Sequence, residues 1–207
     1  YKDDMKGSYL GPEFSQNQIE EELKSLGANF DILDYEDLID QTSNYLSKEK
    51  AIGWFQGRME FGPRSLGGRS ILGDPRSESM QKTLNLKVKY RESFRPFAPS
   101  ILRDDLSNWF EIDIDSPYML LVANVNYEKQ IEMTSDQKKL FGINKLNIKR
   151  SDIPAVTHID YSARIQSVNK DTNKKYYDLI SKFKEKTGCP LIAVSYTHLR
   201  AHETRGN

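Results

Sequence analysis

One cysteine in 207 residues excludes an internal disulfide and any zinc site built from several cysteines. No apolar run approaches the ~18–20 residues that a bilayer-spanning helix needs. The opening Tyr1-Lys-Asp-Asp-Met5 is too polar for a signal peptide. No membrane partner is therefore expected, and a cytoplasmic location is the reading. An initiating methionine is also missing, which points to a truncated N-terminus. The formal net charge is zero, so no overall field argues for a polyanionic partner. What is present fits one soluble globular domain: 37% hydrophobic and 29% charged residues, in a length of one ordinary domain plus extras.

The zero net charge hides an uneven distribution. Residues 1–50 hold 5 Lys/Arg and 12 Asp/Glu, a balance of −7, whereas 51–103 hold 10 Lys/Arg and 4 Asp/Glu, a balance of +6. Seven of those ten cations are arginine. Lysine would suffice for solubility; arginine adds the fork that grips phosphate or carboxylate with two bonds. A solvated basic face is the plainer alternative.

Residues 1–14 read as a linker, punctuated by Gly7-Ser8 and Gly11-Pro12. Ser15 and Gln18 form a capping box for a helix whose apolar stripe is Ile19, Leu23 and Leu26, ended by Gly27. Phe30 to Leu33 is a short extended segment, and Tyr35 to Leu46 is helical by spacing. Ala51 to Phe55 has strand length, and a Gly/Arg-rich loop runs from Gln56 to Gly68. Ser70 to Leu72 is a strand, and Ser77 to Leu86 a helix with Met80 and Leu84 on one face. Phe97 to Leu102 is extended, Asp104 to Trp109 a short helix, and Tyr118 to Asn124 the clearest buried strand. Residues 126–153 are a polar surface excursion. Ala163 to Val168 alternates as a strand, Lys174 to Lys186 is helical, and Pro190 to Ala193 begins another strand. Strands and helices alternate without strict βαβ regularity, which predicts an α/β (α+β) domain over 15–193 with a mixed sheet.

The end of the chain reads differently. Val194-Ser-Tyr-Thr-His-Leu-Arg-Ala-His-Glu-Thr204 resembles one reading frame of a sequencing adapter. Residues 194–207 are therefore set aside as a non-native tail with poor packing expected. His198 and His202 lie four apart, a spacing that can bind zinc on a helix, but as part of that tail they are not taken as a site. No metal ligand set is read from the remainder.

Two stretches carry chemistry. The first is Gly57-Arg-Met-Glu-Phe-Gly-Pro-Arg-Ser-Leu-Gly-Gly-Arg-Ser-Ile-Leu-Gly-Asp-Pro-Arg76. Its glycines permit positive φ or close approach of a ligand, and it carries Arg58, Arg64, Arg69 and Arg76. Exposed backbone N–H groups and guanidinium forks suit ATP or an acyl phosphate. It is not a P-loop, because no Gly-Lys-Ser/Thr follows. The second is Asn85-Leu-Lys-Val-Lys-Tyr-Arg-Glu-Ser-Phe-Arg-Pro-Phe-Ala-Pro-Ser100. On an extended segment Lys87, Lys89 and Arg91 would share a face, as they also would on a lysine-protected edge strand. Arg95 precedes a Pro-Phe-Ala-Pro brace that excludes regular helix.

These two stretches, followed by Val156-Thr-His-Ile-Asp-Tyr-Ser-Ala-Arg-Ile-Gln166 and Thr187-Gly-Cys-Pro190, resemble the NodU/CmcH carbamoyltransferase family in content and order. Gly7 to Ser15 is similar to that family's junction before its C-terminal domain, so the resemblance covers nearly all of 7–193. It implies a YrdC-like C-terminal domain that binds carbamoyl phosphate and ATP, with Mg2+ accompanying the nucleotide, and makes carbamoyl adenylate. It also implies an N-terminal ASKHA-type domain that holds a metal ion and passes the carbamoyl group to an acceptor hydroxyl on a sugar or natural product. By motif position, Lys89 and Arg95 are the catalytic candidates. Arg58, Arg64, Arg69, Arg91, Arg164 and His158 are the candidates for binding substrate or ATP. The N-terminal domain is absent here, and the family's Asn-Thr-Ser-Phe-Asn continuation is replaced from Val194. The fragment is accordingly expected not to complete carbamoyl transfer.

Plainer readings stand beside these. His158 can be a hydrogen-bonded structural histidine, Cys189 a small buried residue, and Trp54 and Trp109 core and rim rather than adenine platforms. A different class of function, an RNA-binding module of YrdC-like fold, would use the basic window for phosphates. Glu60, Asp74 and Glu92 interrupt that window, which favours a compact pocket over a phosphate track, and no nucleic-acid partner is expected.

Overall fold

The computed structural model describes residues 3–196. Six strands form one open mixed sheet in the order β1-β2-β6-β3-β5-β4: β1 (Ile52–Phe55), β2 (Arg69–Gly73), β3 (Ala98–Leu102), β4 (Leu121–Asn124), β5 (Ser162–Val168) and β6 (Leu191–Tyr196). Only β3 and β5 pair in parallel; the other ladders are antiparallel. The mixed α/β class read from the alternation of elements is thus the architecture found. Among the described residues no helix is long and apolar enough to cross a membrane.

Two helices supply the main packing layer. The first is α2 (Tyr35–Ser47), which follows α1 (Gln16–Ser25). It buries Ile39, Thr42, Ser43 and Leu46. The other, α7 (Lys174–Thr187), buries Tyr176, Leu179, Ile180 and Phe183. Both sets follow the i, i+3, i+4, i+7 spacing of one helix face, and the two helices pack on each other and beside the sheet. Their ends are closed by local chemistry. Asp34 accepts the Asp37 N–H at 2.9 Å to start α2. Asn173 caps α7, and Gly188 ends it at φ +74, a conformation that costs a residue with a Cβ.

Several expectations need correction. The capping box of α1 forms as read, with Ser15 and Gln18 bonded in both directions, yet α1 buries no residue and Leu26 is 70% exposed. A stripe that narrow defines a face but does not guarantee a partner for it. The Tyr118–Asn124 run is not a buried strand. Its paired part, β4, is the sheet edge with alternating exposure. The strands buried along their length, β3, β5 and β6, carry serines and a glutamine. Ser100, Ser162, Gln166 and Ser167 are paired, as in Ser100 Oγ to Gln166 Oε1 at 2.6 Å, which offsets the cost of burying them. Lys87, Lys89 and Arg91 do not lie on an extended segment. After α3 (Met80–Thr83) the chain continues as a wide π turn, Leu84–Val88, and the Lys89 N–H donates to Leu84 O at 2.9 Å. Lys87 is exposed and Lys89 buried, the reverse of a shared face.

Both ends of the described chain are tied down. Residues read as a linker dock on the Gly/Arg loop: Phe61 N–H donates to Ser8 O at 2.7 Å, and Met59 exchanges backbone bonds with Gly11 and Pro12. Val194 onward is expected to be poorly packed, or paired without supporting side-chain contacts; Val194, Ser195 and Tyr196 complete β6 beside β2, and the buried Val194 departs from that expectation. Val194 is 4% exposed. Ladder bonds need no particular side chain, and a valine at that place meets the core. The rest of the expected tail, 197–207, including His198 and His202, lies outside the described residues.

Candidate functional site

The Gly/Arg loop between β1 and β2 is organised by an acid. Glu60, 7% exposed, turns its carboxylate inward. Oε1 accepts N–H bonds from Leu66 at 2.8 Å, Gly68 at 2.6 Å and Arg69 at 3.2 Å, and Oε2 accepts the Arg69 N–H at 3.1 Å. Gly67 adopts φ +96, and a Cβ there would stand 2.5 Å from the Tyr176 ring, so conformation and space both require glycine. Ser70 Oγ accepts the Gly67 N–H at 2.9 Å, Gln166 Nε2 donates to Leu66 O at 3.0 Å, and Tyr9 OH reaches the same carbonyl.

The arginines of this motif then separate into kinds. Arg69 donates to the carbonyls of Gln56, Gly57, Gly68 and Pro12 and lies 3.5 Å from the Phe55 ring centroid. Arg76 grips Asp74, 2% exposed, with two bonds at 3.0 and 2.6 Å. Arg58 pairs with Glu13 at 3.5 Å and with Gly11 O. Each of these guanidinium groups is engaged with protein. Arg64 is different: its Nε is buried without a partner among the described residues.

Arg64 faces a cleft of about 100 Å³ lined also by Arg91, Phe97, Ala98, Met119, Arg164 and β6 residues Val194 to Tyr196. The sheet ladders explain the meeting. Ala98 pairs with Val194, and Arg164 stands two residues before Gln166 as Ala98 stands two before its partner Ser100. The Nε of Arg164 is likewise buried and without a described partner. Burial, then repulsion from Arg64, lowers its pKa; burial, then repulsion from Arg95, lowers that of Arg91. Among the described residues no carboxylate lines this cleft. Like charges held together in low dielectric, with no acid between them, leave a place for an anion.

Lys89, 3% exposed, reaches the Tyr196 carbonyl in the wall of the same cleft. Arg95 stays at the rim, half exposed and paired with Glu92 at 3.0 Å. His158 lies in the turn that enters β5. Its Nδ1 is 3.0 Å from Ser162 Oγ, whose hydroxyl donates to Asp160 Oδ1 at 2.7 Å. Because that hydroxyl proton is already given to Asp160, the imidazole must be the donor, which places its proton on Nδ1. Burial lowers the His158 pKa; Asp160 opposes this and Arg164 adds to it. The structure thus gathers Arg64, Arg91 and Arg164 around one cleft, with Lys89 at its wall. Arg95 and His158 stand nearby in charge contact, and Arg58 and Arg69 lie elsewhere.

Two contributors were not singled out from sequence. Glu60 was read as an interruption of the basic patch. Asn85, fully buried, donates to the carbonyls of Ser93 and Arg95 and accepts Arg91 Nε at 2.6 Å, so one side chain closes the second loop. Its place at the head of that motif was the available signal. Cys189 is 1% exposed, with its thiol pushed up to about 12 by burial, which leaves it unreactive. Among the described residues no three His, Cys, Asp or Glu side chains form a group able to hold a metal ion.

Comparison with known proteins gives this cleft its setting. Residues 43–199 match the family described as Carbamoyltransferase C-terminus. An uncharacterized protein of Synechocystis sp., sll1178, is 52% identical over 200 residues, 96% of this chain and 32% of the relative. The nodulation protein NolO of Bradyrhizobium diazoefficiens is 37% identical over 188 residues, 89% of this chain and 31% of the relative. A 3'-hydroxymethylcephem-O-carbamoyltransferase of Amycolatopsis lactamdurans is 34% identical over 153 residues, 74% of this chain and 25% of the relative. The chain therefore spans a third or less of these relatives' length. The match includes both arginine-bearing loops, β5 and nearly all of the sheet, and on it the chain belongs to the carbamoyltransferase C-terminus family.

Proposed function

We propose that this chain is the donor-handling part of a carbamoyltransferase, binding carbamoyl phosphate and ATP to form carbamoyl adenylate with loss of phosphate and pyrophosphate, the small cleft of Arg64, Arg91 and Arg164 taking only a phosphate group of these ligands. The observation that carries the reading is the convergence of these guanidinium groups with two unpartnered buried Nε atoms, in a chain of this family. An anionic phosphate would supply the charge that the cleft lacks. Because no carboxylate among the described residues lines the cleft, Mg2+ would arrive on the nucleotide and be held by its phosphates. Arg164 and Arg64 would hold phosphate oxygens by charge-assisted bonds, and the same donors would stabilise charge that develops as the phosphate bonds rearrange. Arg91, fixed by Asn85, would complete the fork, and Lys89 would fix the wall through β6. Transfer to an acceptor hydroxyl would need the longer protein, as would its acceptor choice. The small, enclosed grouping of cations favours a compact anion over an RNA backbone, which takes cations spread along a track.

The test is equilibrium binding of carbamoyl phosphate to the 207-residue chain. Arg164→Ala is expected to weaken it by about tenfold or more, the scale of one charge-assisted contact. In the full-length protein the same change should suppress carbamoyl-phosphate-dependent pyrophosphate release from ATP. Unchanged binding in Arg164→Ala, with Arg58→Ala the more damaging, would move the site away from this cleft.

A further inference from the structure

A second cleft, of about 260 Å³, lies where α3 meets the segment after α6 (Ile143–Leu146). It shares no lining residue with the first cleft. Its lining includes Lys82, Ser93, Asn147, Lys149 and Arg150, with Glu78 at 3.1 Å from Lys149. The volume is below the roughly 300–1,000 Å³ of pockets that take drug-sized ligands, which limits the occupant to a small molecule or ion.

Arg150 makes this cleft unusual. It is 6% exposed, its Nη2 donates to the Lys145 carbonyl at the end of α6, and its Nε is buried with no partner among the described residues. Other cations set into this surface have acids. Arg76 has Asp74, Arg103 has Asp113 and Asp115, and Lys184 has Asp105. Arg69 has four carbonyls in their place. Arg150 has one carbonyl and, among the described residues, no acid. In this respect it matches Arg64 and Arg164 of the first cleft. A buried guanidinium with so little compensation is costly, and two further cations, Lys82 and Lys149, line the same cleft. One acid, Glu78, already engaged with Lys149, does not offset three cations.

We infer that the Lys82–Lys149–Arg150 cleft is a second anion site, built for a small phosphate-bearing ligand. The Arg150 guanidinium would meet phosphate oxygens, with Ser93 Oγ as a neutral donor and the lysines closing the mouth. This geometry takes a free phosphate ion or the phosphate of a small ester alike. The site does not depend on what the first cleft binds.

Equilibrium dialysis with inorganic phosphate tests the inference on the 207-residue chain carrying Arg164→Ala, which weakens the first cleft. Saturable binding is expected, weakened about tenfold or more when Lys82→Ala and Lys149→Ala are added, on the scale of lost charge-assisted contacts. Both lysines are exposed, so this pair of changes leaves the core untouched. Arg150→Lys should also weaken binding, since an ammonium cannot reproduce the fork. Ribose 5-phosphate distinguishes the sources: displacement of phosphate assigns an ester, no displacement assigns the free ion, and both uphold the site. Absence of saturable binding, or binding that the lysine changes leave intact, overturns it.

Discussion

Between Gln56 and Gly68 the backbone is bound from both sides by its own motif, with Glu60 accepting and Arg69 donating. Between Leu86 and Pro96 the chain hangs largely on Asn85 and on Gln81, which donates to Phe94 O at 2.7 Å, and Tyr90 and Arg95 are exposed. Both loops are arginine-rich and both supply a guanidinium to the same cleft. In the first, Glu60 and Arg69 are engaged with the backbone, and Arg64 keeps an Nε without a partner among the described residues. In the second, Arg91 is fixed by Asn85, Lys89 reaches the Tyr196 carbonyl, and Arg95 pairs with Glu92 at the surface. Arginine content therefore marks the region of the site, while the partner of each guanidinium decides its role.

The largest expected effect breaks the first loop. Glu60→Ala would strand the buried N–H groups of Leu66 and Gly68 and that of Arg69, and each unsatisfied donor costs about 1–3 kcal/mol. A loss of about 3 kcal/mol or more in urea unfolding is expected. Asn85→Ala should loosen the second loop with a smaller loss of stability and a greater loss of carbamoyl phosphate affinity, because Arg91 loses its anchor. Equal stability losses from the two changes would erase the distinction between the loops.

Next in size is the strand that walls the cleft. A chain ending at Ala193 lacks Val194 and its ladder partners Leu72 and Ala98, and Lys89 loses the Tyr196 carbonyl. Compared with a chain ending at Tyr196 it should be less stable by about 2–3 kcal/mol, the scale of a buried valine with its backbone bonds. Thermal unfolding of the two truncations, side by side, measures this. No difference would show that the strand ends at 193 in effect.

Arg76 and Arg164 sharpen the comparison at the level of single side chains. Arg76→Ala leaves the buried Asp74 carboxylate unpaired, at about 2 kcal/mol, and should leave phosphate-ligand affinity unchanged. Arg164→Ala relieves repulsion from Arg64, so stability should hold within about 0.5 kcal/mol while affinity falls. Chemical denaturation and ligand titration on the same two proteins separate the roles.

Much of this fold is legible from spacing. The buried sets of α2 and α7 follow the helical period, and Ala163 to Val168, read as a strand from its alternation, lies within β5. Position within the sheet is not legible. The run Met119 to Ala123 is more apolar than β5, yet β5 lies inside the sheet, where Gln166 and Ser167 find partners in Ser100, Leu66 and Ser116 that are far away in sequence. The same holds for the site. Motif order offers Arg64, Arg91 and Arg164 as candidates, and their meeting at one cleft depends on β5 and β3 lying side by side. It could not separate them from Arg58 and Arg69, because saturation of a guanidinium by distant carbonyls such as Pro12 O is a tertiary fact. Lys89 was read on an extended face because alternate charges suggest one; the buried Leu84 and Asn85 pull that segment into a helical turn instead.

The smallest predicted effect is on pH, and its sign follows from the site. His158 has a pKa below the ordinary histidine value in the folded chain, through burial first and Arg164 in addition. The unfolded chain binds that proton near pH 6.5, so above this value the two states carry equal protons at this residue and the full stability is present. As pH falls below 6.5 the unfolded state takes up the proton first, and stability declines until pH passes the folded pKa. The slope from this one group cannot exceed about 1.4 kcal/mol per pH unit. His158→Gln should flatten it, and NMR titration of the His158 ring should give the folded pKa directly. Phosphate bound at Arg164 would offset the repulsion and move that pKa upward, so the titration repeated in phosphate links the histidine to the cleft. If the ring titrates at its ordinary value and phosphate does not shift it, His158 is neither buried against Arg164 nor coupled to the anion.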